Sequence, residues 1–336
     1  MSLDQDTLHQ LLDTIRRFVR NRLMPLEEQV ASTDQIPESV ISEMRELGLF
    51  GLTIPEEYGG LGLNTEEECK VAIELGYTSA AFRSVIGTNN GIGSQGLVMD
   101  GTDDQKENYL PRLASGEIIG SFALTEPNVG SDSANVQTKA EKDGDSYILN
   151  GTKRWITNAN IANLFTVFAR TDQSQKGSSG VSAFLVDANT PGISLSSKYK
   201  KMGQQGAHVC DVIFDNCRVP EVNIIGGPNN VNNGFKTAMK TLDRGRIHIS
   251  AFAVGCAKRL IEISTQFSLE REQFGQSISN FQMIQAMLAE SQTECYAAET
   301  MVFDAAQRRD RGEKVNLHAS CCKLFASEMA VSYTHL

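Results

Sequence analysis

Three stretches of this chain carry residue types that could do chemistry. The first is FALTEPNVGSD, residues 122–132, where an apolar run gives way to a threonine, an acid, a proline, a glycine and further small polar residues. Two readings stand side by side. One is a β-turn with capping side chains, because these residue types favour turns on their own. The other is a loop that sets backbone N–H groups and the Thr125 and Ser131 hydroxyls against a ligand, with Gly130 permitting close approach. The second stretch is GTKRWITNAN, residues 151–160, which holds Trp155, the only tryptophan. Trp155 followed by Thr157 would place an indole wall and a hydroxyl beside a flat ring; alternatively the indole serves the core or an interface. The third is TLDRGRIHISAF, followed by REQFG at 271–275. Arg244, Arg246 and Arg271 stand beside Asp243 and Glu272. They are either surface ion pairs or clamps for phosphate, which the guanidinium fork suits.

Elements must hold these residues in place. Residues 1–116 read as helical: Leu8, Leu11, Leu12, Ile15, Phe18 and Val19 recur at helical spacing, and a second helix is bounded by Pro37 and Gly48. Residues 117–220 change character. EIIGSFAL, ANVQTKAEK, DSYILNG, TKRWIT, NLFTVFAR, VSAFLVDA and VCDVIFDNCRV are short β-rich runs. Between them lie the turn signals Asp143-Gly144, Asn150-Gly151 and Pro191-Gly192. An antiparallel β-domain, closed or sandwiched, is expected there. From Gly234 the helical period returns, with Ile249, Phe252, Cys256, Leu260, Ile263 and Phe267 forming an apolar stripe and a second helix carrying Phe281, Ile284 and Leu288. Neighbouring long helices imply a bundle. The fold class is therefore α+β: an N-terminal α-helical domain over 1–116, a middle antiparallel β-domain over 117–228, and a C-terminal helical bundle over 229–336.

Bulk properties narrow the function. With 336 residues, 40% hydrophobic and 21% charged, the chain has material for two or three domains. Its net charge of −10 argues against nucleic acid as the main partner. A few local arginines still suffice for an anionic small ligand. No stretch approaches the roughly 20 apolar residues of a membrane span. The first residues carry acids early and do not read as a signal or transit peptide, so a cytoplasmic location is expected. The seven cysteines form no CxxC pair, as reduced thiols of a cytosolic protein would. A GxGxxG pattern at 91–96 lacks the preceding strand of a dinucleotide fingerprint and reads as helix-junction glycines.

Taken together, the motifs resemble the acyl-CoA dehydrogenase family over nearly the whole chain. They are PEEYGG at 55–60, ALTEPNVGSD at 123–132, NGTKRWITN at 150–158, DNCRVP at 215–220, LDRGR at 242–246 and REQFG at 271–275. The resemblance implies a non-covalent FAD and a soluble homotetramer or dimer with no membrane span. Phe122, Leu124 and Thr125 would then contact the flavin ring, and Ser131 would face both flavin and acyl-CoA. Trp155 and Thr157 would cover the ring system. Arg271, Phe274 and Gln282 match positions that bind the FAD of an adjacent subunit, and Asp243 and Arg246 match positions near the CoA nucleotide. The implied reaction is α,β-dehydrogenation of an acyl-CoA thioester to the trans-2-enoyl-CoA, with electrons passed on to an electron-transfer flavoprotein. An acyl-CoA oxidase, a flavin monooxygenase relative, and a base-less FAD-binding or interaction protein are the alternatives.

One departure stands out. Most relatives supply a catalytic glutamate from a late Tyr/Phe-Glu-Gly segment that is absent here, and a minority carry it where this chain has Gly245. No catalytic base is assigned within the sequence; the glutamate is expected beyond residue 336. VSYTHL is expected to break the preceding helical pattern at Ala330, as foreign sequence would, and the chain as written to bind FAD poorly and turn over little.

Overall fold

The computed structural model of the chain describes residues 3–335. Helices come first. In α1 (Gln5–Phe18), the Asp4 carboxylate accepts the Thr7 N–H at 2.9 Å and so caps the first turn. Next come α2 (Glu27–Thr33) and α3 (Glu38–Glu46), the latter capped by Pro37 and closed by Gly48 in the left-handed region. Capping boxes open α4 (Thr65–Leu75), through Asn64 and Glu67, and α7 (Asp103–Ala114), through Thr102 and Gln105. Between them lie α5 (Ala80–Thr88) and α6 (Gln95–Asp100). The GxGxxG stretch falls at the α5–α6 junction. A Cβ on its Gly93 would sit 2.8 Å from the carbonyl oxygens of Thr88 and Gly120, so that glycine serves backbone packing.

The middle of the chain forms β1 (Gly120–Ala123), β2 (Lys139–Asp143), β3 (Ser146–Thr157), β4 (Leu164–Arg170), β5 (Val181–Asp187), β6 (Ile193–Leu195) and β7 (Val209–Pro220). They make one sheet in the order β1-β4-β2-β3-β7-β6, with β5 on β4. Most pairs are antiparallel, as the sequence suggests. Two are not: β1 runs parallel to β4, because the long connection through β2 and β3 brings the chain back in the same direction, and β2 meets β4 in parallel at Lys139 and Arg170. The turn expected at Asn150-Gly151 is also absent. DSYILNG and TKRWIT are halves of one strand, β3, whose pairing with β7 slips between Leu149 and Gly151 and again between Lys153 and Ile156. A Cβ on Gly151 would lie 2.6 Å from Thr138 Oγ1, so this glycine marks an irregularity where another side chain comes close.

The helical period then resumes in α8 (Gly234–Glu270), followed by a tight hairpin, β8 (Glu272–Gln273) and β9 (Gln276–Ser277), then α9 (Gln282–Asp310) and α10 (Asn316–His335). By compactness the chain divides into two units: Met1–Glu27, Leu63–Ala80 and Asp243–Leu336 in one, Glu28–Gly62 and Ala81–Leu242 in the other. The sheet lies in the second, with Phe165, Phe184, Val212 and Phe214 in one buried cluster and Ile54, Leu113, Phe168 and Leu185 in another.

In the first unit, Ile247, Ala251 and Val254 of α8 pack with Cys69 and Ala72 of α4, Ala298 and Val302 of α9, and Ala319, Cys322 and Ala326 of α10. Much of this core is alanine, which lets helix backbones approach closely. Gly76 and Gly255 meet at the tightest point: a Cβ on Gly255 would fall 2.1 Å from the Ile73 carbonyl oxygen. Along the apolar stripe read on α8, Phe252 is buried and Ile249, Cys256 and Leu260 are half-buried, whereas Ile263 and Phe267 are 53% and 59% exposed.

The expected break at Ala330 does not occur. Helix α10 continues through His335, because Cys322, Ala326, Met329 and Tyr333 extend one buried stripe in steps of four, three and four. The Tyr333 hydroxyl donates to the Ser291 carbonyl at 2.7 Å. Among the described residues, no helix is long and apolar enough to cross a membrane.

Candidate functional site

The loop after β1 and the irregular stretch of β3 are joined directly. The Arg154 N–H donates to the Thr125 carbonyl at 2.8 Å, and the Ser121 hydroxyl donates to the Thr157 carbonyl at 2.6 Å. Thr125 is thereby brought to the end of β3 that carries Trp155 and Thr157, about thirty residues farther along the chain. Phe122 and Leu124 are 9% and 6% exposed, and Phe122 packs on Phe168 with ring centroids 4.8 Å apart. Their side chains serve the core and offer nothing to a ligand. Trp155 behaves in the opposite way. It is 61% exposed and has a φ of 58°, a left-handed conformation that bulky residues rarely adopt. Its indole is held outward at the cost of backbone strain, a pattern that concentrates at binding sites. Ser131 is exposed farther along the loop, and nothing hydrogen-bonds it to Trp155.

A buried ion pair supports the loop from within. Lys153 Nζ lies 2.7 Å from Glu126 Oε1 and donates to the Leu124 carbonyl at 3.2 Å, with the two side chains 0% and 3% exposed. Glu126 also accepts the Gln137 and Thr138 N–H groups at 2.6 and 2.8 Å. Burial drives the Lys153 ammonium down to about 8, against the opposing pull of Glu126. Burial alone would raise the Glu126 carboxyl, but Lys153 and the surrounding donors hold it below the usual carboxylate range.

In the other unit, Asp243 and Arg246 stand one turn apart on α8. Arg246 Nη1 lies 2.5 Å from Asp243 Oδ1, and Asn316 Nδ2 donates to the second carboxylate oxygen. The carboxylate thus braces the guanidinium. Arg244, read from sequence as a surface pair or a phosphate clamp, is neither. It is buried and pairs with Glu68 of α4 at 2.8 Å, because its position on α8 faces inward. Burial would raise Glu68, yet Arg244 and His248 hold its carboxyl below the ordinary value.

Arg271 follows the end of α8, about 40 Å farther along the helix than Asp243 at the usual rise per residue. It is exposed and, among the described residues, has no acidic partner. Phe274 at the tip of the β8–β9 hairpin is 92% exposed with a φ of 54°. Its ring meets Phe281 edge-on at 6.0 Å, beside the exposed Gln282 that opens α9. Within the unit that holds the sheet, the structure brings Thr125 together with Trp155 and Thr157; within the other, Asp243 pairs with Arg246, and Arg271 enters the hairpin that carries Phe274 toward Phe281 and Gln282.

Sequence reasoning missed the Lys153–Glu126 pair, since no local spacing links residues 27 apart. It also missed Asp211, which accepts hydrogen bonds from both Arg154 and Trp155. There the signal existed: an acid stands alone in the apolar run VCDVIF.

Comparison with known proteins agrees with this arrangement. Models for the N-terminal, middle and C-terminal domains of acyl-CoA dehydrogenase match residues 5–117, 121–217 and 232–336 in that order. YngJ of Bacillus subtilis, a probable acyl-CoA dehydrogenase, is 40% identical over 95% of this chain and 83% of its own length. A 3-(aryl)acrylate reductase of Clostridium sporogenes is 38% identical over 96% of this chain and 85% of its own. The butyryl-CoA dehydrogenase of Megasphaera elsdenii superposes with a TM-score of 0.94 at 32% identity, covering 100% of this chain and 88% of that one. Proteins of this kind bind FAD. The wall at Trp155 fits such a group: it offers an exposed indole face, and among the described residues the Thr125, Ser131 and Thr157 hydroxyls have no protein hydrogen-bond partner.

Proposed function

Because the chain belongs to the acyl-CoA dehydrogenase family, we propose that it carries out α,β-dehydrogenation of an acyl-CoA thioester to the trans-2-enoyl-CoA. It is an FAD-dependent oxidoreductase; the proposal concerns its substrate and the direction of reaction. The observation that carries it is the Arg154–Thr125 hydrogen bond, which sets unengaged hydroxyls beside an outward-facing indole.

Bound FAD supplies a two-electron acceptor for the hydrogen leaving the β-carbon. The protein's part is to bind and orient. The Thr125 and Thr157 hydroxyls are donors for the polar edge of the ring system, and Trp155 keeps water from one side of it. Ser131 is assigned to flavin and acyl-CoA together. Arg246, steadied by Asp243, offers charge to the phosphates of CoA. Arg271, Phe274 and Gln282 are assigned to the FAD of a neighbouring copy in a dimer or tetramer, consistent with their distance along α8 from Asp243 and Arg246. The reoxidising partner would be an electron-transfer flavoprotein. The α-proton that leaves with the β-hydrogen must go to a base, and no carboxylate here is given that role: Glu68 and Glu126 are locked in ion pairs, and Gly245 has no side chain.

The test is anaerobic mixing of the FAD-loaded chain with saturated acyl-CoA thioesters of increasing length. Slow bleaching of the oxidised flavin band, roughly 10²–10⁴-fold below the rate a positioned base allows, with trans-2-enoyl-CoA as product, is the expected result. The reductase relative favours a second reading, the same two-electron chemistry run in reverse. Reoxidation of the dithionite-reduced, FADH2-loaded chain by an enoyl-CoA, without bleaching of the oxidised form by any saturated thioester, would replace the first reading with the second. Peroxide release in air would point instead to an oxidase.

A further inference from the structure

Asp211 stands alone opposite two residues. In the β3–β7 pairing Lys153 faces Val212 and Ile156 faces Cys210, so Arg154 and Trp155 share the one β7 residue between them. Two residues against one is the arrangement of a β-bulge, which bends its strand and re-aims a side chain. Here the re-aimed side chain is the Trp155 indole, turned outward on left-handed backbone. Such a conformation persists only where its surroundings over-determine it.

The Asp211 carboxylate supplies that constraint. Its Oδ1 accepts the Trp155 N–H at 3.3 Å. Its Oδ2 accepts Arg154 Nε and Nη2 at 3.2 and 3.1 Å. The Tyr199 hydroxyl lies 3.1 Å from both oxygens. The Asp211 backbone is fixed in turn: its N–H donates to Ser196 Oγ at 2.9 Å, and its carbonyl accepts the Ser196 N–H at 3.0 Å. One carboxylate thus ties the bulge backbone, the Arg154 guanidinium and the 196–199 segment together. Arg154 then carries the constraint across to the Thr125 loop through its own N–H.

We infer that Asp211 is a positioning residue, which fixes the Trp155 indole as one wall of the FAD site by holding the bulge and touches the cofactor nowhere. The inference rests on the reading that Trp155 lines the cofactor. The alternative is that Asp211 merely neutralises Arg154, in which case the indole would hold its place without it.

Trp155 is the only tryptophan, so intrinsic fluorescence reports on this position alone. The full chain is compared as wild type, Asp211→Ala and Asp211→Asn, first stripped of flavin and then titrated with FAD. In the flavin-free protein, Asp211→Ala is expected to lower the tryptophan anisotropy and shift its emission. Asp211→Asn keeps one acceptor oxygen and should fall between the two. On titration, wild-type emission should be quenched as FAD binds, whereas Asp211→Ala should show weaker quenching and an FAD Kd raised about five- to tenfold. Should Asp211→Ala not fold, Asp211→Asn and Tyr199→Phe carry the same comparison. Unchanged anisotropy in the variants, with quenching as in wild type, overturns the inference and leaves the cofactor reading intact. Absence of quenching in wild type overturns the cofactor reading, and the inference with it.

Discussion

The Arg154 N–H donates to the carbonyl of Thr125 at 2.8 Å, a bond between the irregular part of one strand and the loop that leaves another. Joined, they hold the Trp155 indole and the Thr125 hydroxyl in a fixed relation, and the consequences can be measured.

If the Thr125 hydroxyl is a donor to bound FAD, replacing it with an apolar group of similar shape should weaken cofactor binding without disturbing the fold. Thr125→Val is expected to raise the FAD Kd about fivefold, the cost of one hydrogen bond worth about 1 kcal/mol. Titration of the flavin-free protein reads this directly. An unchanged Kd would remove Thr125 from the site.

The Lys153–Glu126 pair should be costly to break. Glu126→Gln leaves a buried ammonium without its counter-charge and should lower stability by about 3–5 kcal/mol in urea unfolding. A pH dependence goes with it. Lys153 sits near 8 in the folded chain against 10.5 when free, so between those values the unfolded state binds more protons at this position. Stability must therefore rise with pH across that window and be lost again as pH falls toward about 8, by up to about 1.4 kcal/mol per pH unit for one proton. Measured relative to Lys153→Met/Glu126→Leu, which lacks both charges, wild type should gain stability across this range. A flat difference would mean that Lys153 does not titrate there.

Gly76 tests the close crossing of helices. An alanine there would put its Cβ 2.4 Å from the Phe252 carbonyl oxygen and 2.7 Å from Gly255 Cα, both backbone atoms that cannot swing away. Gly76→Ala should cost about 1–3 kcal/mol of stability, read from the urea midpoint. A neutral outcome would show that α4 and α8 separate more easily than their geometry suggests.

Thiol chemistry should single out one cysteine of seven. Cys321 is exposed, whereas Cys69, Cys210, Cys217, Cys295 and Cys322 are buried and Cys256 is partly so. Burial pushes Cys217 and Cys322 up to about 11 and Cys256 to about 12, which suppresses their thiolates at neutral pH. Ellman's reagent should label one thiol rapidly in the native protein and seven after denaturation, and Cys321→Ser should abolish the fast phase. Several fast thiols in native protein would contradict the buried assignments.

Local chemistry made much of the architecture legible in advance. The Pro37 and Gly48 boundaries of α3, the Asp143-Gly144 turn and the change from helical to alternating pattern near residue 117 depend on nearest neighbours, which sequence displays. Where a distant partner decided the outcome, the reading failed. Asn150-Gly151 has the residues of a turn, but β7 pairs across it and draws both halves into one strand. VSYTHL reads as a break in the helical pattern, yet Tyr333 lands on the buried face of α10 and keeps the helix going.

The same division runs through the functional residues. Sequence alone determined which groups could serve a flavin enzyme: a lone tryptophan, a loop of small hydroxyl residues, and arginines at the ends of a long helix. Tertiary structure decided what each one does. Arg244 and Arg246 differ only by two positions, but a rotation of about 200° on an α-helix turns one inward to Glu68 and leaves the other with Asp243. Lys153, Arg154 and Trp155 are consecutive, yet a buried glutamate takes the first, a facing aspartate braces the second, and backbone strain turns the third outward. Residue type states what a side chain is able to bond; only the partners that the fold brings within about 3 Å determine which of those bonds is made.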